Sequence, residues 1–438
     1  MIPQEVCAVL ERLERAGYEA YAVGGCVRDI LMGKAPHDWD VTTSAPPQET
    51  MALFDHFAIP TGLQHGTVTV RSGGLSCEVT TFRTDGDYPD HRHPAAVTFT
   101  RSLREDLARR DLTVNAMAMD MRGTLHDPFG GQADIRRRVL RCVGEPERRF
   151  REDALRILRT LRFSATLGFA IGEDTPQALR AQCGDLRYVA AERVREELTK
   201  LLCGTDVLRV LLEDSRVLGV VLPEILPCVG FDQHNRHHCY DVWGHTAHAV
   251  AAAPPDPILR WAMLLHDLGK PQCFTLDEQG VGHFHGHHRP SAEMAESICR
   301  RLRFDKAAAQ RICLLVRYHD RPIPLTERAI RRAMNQLGVD GLRQLCAVKR
   351  ADNLAQHPDY RGRQQEIDRG EAIMEELLAK DACFSLKQLA VNGQDMMALG
   401  LQGPAIGKML QALLDAVMDG VVENERNALL SLAQTPKN

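Results

Sequence analysis

Gly24-Gly25-Cys26-Val27-Arg28-Asp29, followed nine residues after Asp29 by Asp38-Trp39-Asp40, decides how this chain folds. Tyr21-Ala22-Val23 reads as a buried strand ending at the glycines, and Val27 to Met32 as the helix after it. Glycines let backbone approach a triphosphate closely, and a helix start offers unpaired N–H groups to it. On the next strand Asp38 and Asp40 share a face, because side chains alternate with period two. Two carboxylates so placed can hold a pair of Mg²⁺ ions and align an attacking hydroxyl with an α-phosphate.

A third acid follows. Leu75 to Arg83 alternates as a strand, with Glu78 the one carboxylate inside it. A central strand rarely carries a glutamate without a partner, so a metal or a basic group is expected beside it. Further on stands Arg109-Arg110-Asp111-Leu112-Thr113-Val114-Asn115-Ala116. Between the two, Asp85 to Pro94 is turn-rich and charged without an apolar period, and is expected to be a loop.

Together these motifs resemble the class II tRNA nucleotidyltransferases, the CCA-adding enzymes, which are grouped with bacterial poly(A) polymerases in the polymerase-β-like superfamily. The likeness runs from about residue 18 to about 200 and continues more weakly to the C-terminus. Leu112 departs from it, since an aromatic residue is common there. The resemblance implies Asp38, Asp40 and Glu78 as the catalytic carboxylates, with Mg²⁺ on the two aspartates. It implies Gly24, Gly25 and Arg28 around the triphosphate, Arg109, Arg110 and Asp111 around the ribose, and Asn115 among the nucleotide-binding residues.

Glu152-Asp153-Ala154-Leu155-Arg156 lies where Ala154, Leu155, Ile157, Leu158 and Leu161 recur at helical spacing, so an amphipathic helix is expected. Asp153 and Arg156 are three apart and share a face, which also suits an ordinary helix salt bridge. The resemblance makes this pair the reader of the incoming base. A carboxylate accepts from the exocyclic amine of cytosine or adenine, and a guanidinium donates to the neighbouring ring acceptors. Uracil and guanine present the opposite pattern and leave buried groups unpaired, at about 1–3 kcal/mol each.

From Arg136 to Arg162 the chain holds ten arginines against four acids, although the whole protein carries −4. Arginine forks suit phosphates, so Arg159 and Arg162 join the nucleotide-binding candidates. Glu192, Arg193 and Glu196 are expected to brace the neck.

A second constellation comprises His245, His266-Asp267, His287, His319 and Asp352, at intervals of 21, 20, 32 and 33 residues. Imidazoles and aspartates gathered from several helices suit Mn²⁺, Fe²⁺, Ni²⁺ or Zn²⁺. This set resembles an HD-domain phosphohydrolase and implies a metal-activated water for phosphoester cleavage. Histidines crowd this region, and His288 or His283 could replace His287.

The 438 residues suggest two to four domains, and 44% hydrophobic with 26% charged residues is the composition of a globular protein. The thirteen cysteines contain no Cys-x-x-Cys, no signal peptide is recognised, and no apolar run nears the ~20 residues of a membrane span. A cytoplasmic protein with reduced thiols is expected. The fold class expected is α+β multidomain. A polymerase-β-like head (1–135, mixed sheet with helices) precedes an all-α neck (136–203), an HD-type body (204–360) and a tail (361–438). In the tail, Asn392-Gly393 and Gly400 to Lys408 read as helix-joining turns, which the resemblance places against tRNA. The function implied is template-independent addition of CMP and AMP to the tRNA 3′ end, with tRNA, CTP and ATP as partners, as monomer or homodimer. The alternatives are a poly(A) polymerase, an enzyme adding only CC or only A, or chiefly an HD phosphohydrolase.

Overall fold

The computed structural model describes residues 2–85 and 97–435, and nearly all of the loop expected at 85–94 lies outside them. The chain forms two compact units, Met1–Leu226 and Pro227–Asn438. The expected head and neck therefore fall in the first unit, and the unit boundary lies inside the expected body.

In the first unit the strands are β1 (Ala20–Val23), β2 (Trp39–Thr43), β3 (Ala58–Gly62), β4 (Thr67–Ser72), β5 (Leu75–Thr81), β6 (Arg83–Asp85), β7 (Val97–Phe99), β8 (Ala118–Met119) and β9 (Leu125–His126). Seven of them form one mixed sheet in the order β3-β4-β5-β2-β1-β8-β9. Only β2 and β5 run parallel, with Asp40 opposite Glu78; β6 and β7 form a separate pair. Two helices, α1 (Gln4–Arg15) and α3 (Pro47–Phe54), cover one face of this sheet. Val6, Val9, Leu10 and Leu13 of α1 recur at helical spacing and are all buried there. From β2, Trp39 and Val41 enter the same core, so period two turns Asp38, Asp40 and Thr42 to the opposite face.

Between them α2 (Gly25–Leu31) follows β1, and α4 (Leu103–Ala108) and α5 (Gly131–Arg137) complete the head. The neck contains α6 (Pro146–Glu152), α7 (Leu155–Leu167), α8 (Thr175–Gln182) and α9 (Ala191–Leu202). It is not wholly helical, because a short parallel pair joins Val139–Leu140 to Ala170–Ile171. The expected single helix through Asp153 is also corrected. Asp153 has φ −142° and ψ 106°, so α6 ends before it and α7 begins two residues later. Apolar residues on both sides keep one helical period and hide the break.

The second unit is helical apart from a Thr275–Leu276/Gly282–His283 hairpin. Its C-terminal helices Gly393–Ala398, Pro404–Met418 and Arg426–Gln434 bury Met396, Leu413, Leu414 and Leu429 together. The tail turn at Asn392 is a capping box with Asp395, which satisfies the first N–H groups of the helix it starts. Among the described residues no helix is long and apolar enough to cross a membrane. None of the thirteen cysteines is disulfide-bonded, and Cys239 is exposed.

Candidate active site and histidine centre

A cleft of about 630 Å³ opens over the uncovered face of the head sheet, lined by Gly24, Gly25, Arg28, Asp38, Asp40, Arg109, Arg110, Asp111, Asn115, Asp153, Arg156, Arg159 and Arg162. These are the expected nucleotide-site residues apart from Glu78. Glu78 sits beside Asp40 across the β2–β5 pair and is solvent-exposed, with Asp40 and Thr69 as its registered neighbours. The basic partner expected for it is not a registered neighbour; exposure instead removes the cost of its charge.

Asp40 is the carboxyl that burial affects. Its pKa is held above the usual carboxylate range, chiefly by burial, with Glu78 and Asp38 adding repulsion and Arg110 opposing them. Three acids on one face supply an oxygen-only donor set of the kind Mg²⁺ takes. Gly24 has φ +81°, and a Cβ there would come within 2.9 Å of Arg110 Nη1. The left-handed backbone requires glycine, and a Cβ would also push the end of the Arg110 side chain aside.

Behind the carboxylates runs a chain of charge-assisted bonds. Arg28 Nη1 donates to Asn115 Oδ1 at 2.7 Å, and Asn115 Nδ2 to Asp111 Oδ1 at 3.4 Å. Arg159 of α7 donates to Asp111 Oδ2 at 2.7 Å. Glu197 of α9 takes Arg162 Nε at 2.5 Å and lies 3.7 Å from Arg159 Nη1. Although burial opposes it, the Arg159 guanidinium holds the Asp111 carboxyl well below the usual range. Arg109, Arg110 and Asp111 follow the end of α4, with Arg109 as its C-cap residue.

The base-reading candidates do not pair with each other. Asp153 Oδ2 accepts from Arg193 Nη2 at 3.0 Å, and Asp153 Oδ1 caps the Leu155 N–H at 3.0 Å. Arg156, 8% exposed, donates through Nη1 to Glu152 Oε2 at 2.7 Å and through Nη2 to the Arg109 carbonyl at 2.9 Å. With the Arg149 carbonyl, 3.3 Å from Nη1, one carboxylate and two carbonyls thus fix the guanidinium while leaving donors to spare.

Several cleft residues went unread in the sequence. Arg193, expected only as a neck brace, lines the cleft and pairs with Asp153. Glu197, not Glu196, is the carboxylate tied to the arginines, and it is 6% exposed. Phe163 lies under Arg162 at 3.7 Å, Arg28 at 5.1 Å and Arg159 at 5.6 Å from the ring centre. Its spacing of four from Arg159 carried that signal. His37 and Lys200 complete the rim.

In the second unit His245, His266, Asp267, His287, His319 and Asp352 do come together. His245 lies on helix Val242–Ala252 and Asp352 on helix Val339–Leu354, while His266, His287 and His319 sit at helix ends. Those three imidazoles share one device. Nδ1 contacts the carbonyl three residues earlier: Met263 at 2.6 Å, Phe284 at 2.8 Å and Val316 at 2.7 Å. A carbonyl only accepts, so Nδ1 carries the hydrogen, and in the neutral ring Nε2 keeps a lone pair facing inward.

The Asp267 carboxylate divides the imidazoles. Its Oδ2 is 3.2 Å from His266 Nε2 and 3.4 Å from His245 Nε2; its Oδ1 is 3.2 Å from His287 and 3.7 Å from His319. Asp352 Oδ1 stands 2.9 Å from His245 Nε2. His266 Nε2 is buried and makes no hydrogen bond among the described residues, as a nitrogen aimed at an ion would. His287 and His319 present Nε2 to each other at 3.1 Å; with both rings neutral and hydrogen on Nδ1, two lone pairs face one another, an approach a cation would relieve. His287 fills the place left open in the sequence. His283 instead pairs with Asp277 at 2.9 Å, and His288 lines the adjoining cavity of about 720 Å³.

Comparison with known proteins fits this geometry. Residues 20–141 match the family model described as "Poly A polymerase head domain". Residues 168–228 match "Probable RNA and SrmB- binding site of polymerase A", and 285–433 match "tRNA nucleotidyltransferase domain 2 putative". A CCA-adding enzyme of Geobacillus stearothermophilus is 37% identical over 437 residues, covering 97% of this chain and 95% of the relative. One from Oceanobacillus iheyensis is 50% identical over 219 residues, covering 50% of this chain and 54% of the relative. A crystal structure of the Bacillus stearothermophilus CCA-adding enzyme in complex with CTP superimposes with TM-score 0.72 at 33% identity, covering 99% of this chain and 97% of that one. With that likeness extending over both units and the carboxylate cleft formed in the first, the chain belongs to the CCA-adding enzymes and is a nucleotidyltransferase of the tRNA 3′ end.

Proposed function

We propose that the cleft of the first unit binds CTP or ATP and joins its nucleotidyl group to the 3′-hydroxyl of a tRNA. The observation that carries this reading is the convergence of the Asp38, Asp40 and Glu78 face with the arginine array and the Asp153–Leu155 hinge in one part of the molecule. Asp38 and Asp40, with Glu78 beside them, would hold Mg²⁺. When bound, the ion supplies neutralising charge for the triphosphate and acidifies the attacking hydroxyl. Arg28 and Arg110 receive phosphate oxygens, and Asp111 accepts from a ribose hydroxyl. Asp153 accepts from the exocyclic amine of cytosine or adenine while Arg156 donates to the adjacent ring atoms, which disfavours UTP and GTP. Incubating the protein with a tRNA ending before CCA, CTP, ATP and Mg²⁺ tests this reading. Addition of CC and then A supports it, and no addition by folded protein contradicts it.

A second reading concerns the histidine centre. Three imidazoles with Nδ1 on carbonyls and Nε2 turned inward, shared around one aspartate, support a transition-metal centre. When bound, the metal supplies an activated water for phosphoester hydrolysis. Lys270 and Arg363 line the adjoining cavity and would receive the phosphate. Phosphate release from a phosphorylated RNA 3′ end, retained in Asp40→Ala and lost in Asp267→Ala, tests it.

A further inference from the structure

We infer that Asp106, outside every motif discussed above, is the positioning residue that sets the two cleft arginines for the nucleotide. Asp106 is fully buried, on the last turn of α4. Its Oδ1 accepts from both Nε and Nη2 of Arg109, at 2.9 and 2.8 Å. Its Oδ2 accepts from the Thr42 hydroxyl at 3.0 Å and lies 3.7 Å from Arg110 Nη2. One carboxylate therefore ties both arginines to β2, two residues beyond Asp40.

The arrangement around Arg110 shows why this matters to the reaction. Arg110 stands among three acids, since Asp106, Asp40 and Asp111 all act on its charge. Its Nη1 occupies the space that glycine leaves open at position 24, and its Nε is buried without a hydrogen-bond partner among the described residues. A guanidinium so placed is anchored by Asp106 at one amino group and keeps donors for a ligand at the others. Without that anchor, Arg110 is free to turn onto Asp40, where it would compete with a bound cation and leave the phosphates and sugar unread. Asp106 touches no substrate. It acts through Arg109 and Arg110, so its loss is expected in ground-state nucleotide binding more than in turnover.

This inference rests on Arg110 contacting the nucleotide, and the test separates the two. Full-length Asp106→Asn, Thr42→Val and Arg110→Ala are compared in steady-state CMP addition to a tRNA lacking CCA, with CTP and with dCTP. Asp106→Asn is expected to raise KM for CTP about tenfold with kcat changed less than about threefold, and to narrow the preference for CTP over dCTP. Thr42→Val removes one donor to Asp106 without changing side-chain shape, and should move KM the same way by about threefold. It decides the matter if Asp106→Asn does not fold. Raised KM in Arg110→Ala with unchanged KM in the folded Asp106 and Thr42 variants overturns the role of Asp106 alone. Unchanged KM in Arg110→Ala overturns the reading of Arg110 and the inference with it. A fall in kcat alone, with KM and the CTP preference preserved, also overturns it.

Discussion

Asp153 and Arg193, forty positions apart, form a 3.0 Å ion pair that ties the carboxylate proposed to read the base to helix α9. The pair is partly shielded, with side-chain exposures of 15% and 30%, so it orients more than it stabilises. Replacing Arg193 by leucine should leave Asp153 able to swing. The expected result is a KM for CTP and ATP raised about 3- to 10-fold, with measurable UTP incorporation. Steady-state kinetics with all four nucleotides check this, and an unchanged nucleotide profile would count against the role.

Arg156 should matter more than Arg193. It is almost fully buried and donates to Glu152 and to the Arg149 and Arg109 carbonyls. Arg156→Ala removes the donors proposed for the base edge and leaves Glu152 short of a partner. A loss of about 100-fold or more in kcat/KM for CTP is expected, together with weakened discrimination against UTP. Retained selectivity in a folded variant would exclude Arg156 as base reader.

Stability should depend on pH through Asp214, at the junction of helices Val207–Glu213 and Ser215–Val221. Burial, with repulsion from Glu213, raises its carboxyl from the usual 3.8 to about 6. The folded state thus holds this proton more tightly than the unfolded chain. Its contribution is intact below about pH 4 and is lost as pH rises through 6. Asp214→Asn, which carries no charge, should therefore raise Tm at pH 7.5 and leave it nearly unchanged at pH 4. The gain at pH 7.5 is about 1–3 kcal/mol. Equal effects at both pH values would contradict the assignment.

What could be read in the sequence was what obeys a short period. Asp38, Asp40 and Glu78 share a face because strands repeat every two residues, and that holds whatever surrounds them. The Arg28–Asn115–Asp111–Arg159–Glu197 chain could not be read the same way. Its first bond spans 87 positions and its third spans 48, and only tertiary packing brings such residues together. The Asp153 hinge was masked because apolar spacing on both sides suits one helix. Among the crowded histidines, the choice of His287 over His288 or His283 rests on the Phe284 carbonyl that turns its Nε2 inward, a backbone detail with no signature in composition.

The histidine centre makes its own prediction. Protein loaded with Mn²⁺ or Ni²⁺ and freed of excess should retain the ion, measured by elemental analysis. Asp267→Ala touches both groups of imidazoles and should lower metal affinity by at least about tenfold, while CMP addition by the first unit persists. Equal metal content in variant and parent would remove the centre from the account.

The most direct test is nucleotide addition to a tRNA ending before CCA, by the parent and by Asp40→Ala. The parent should add two residues with CTP alone and one more when ATP follows, and Asp40→Ala should add none. A long ladder with ATP alone, or undiminished addition by Asp40→Ala, would contradict the central claim.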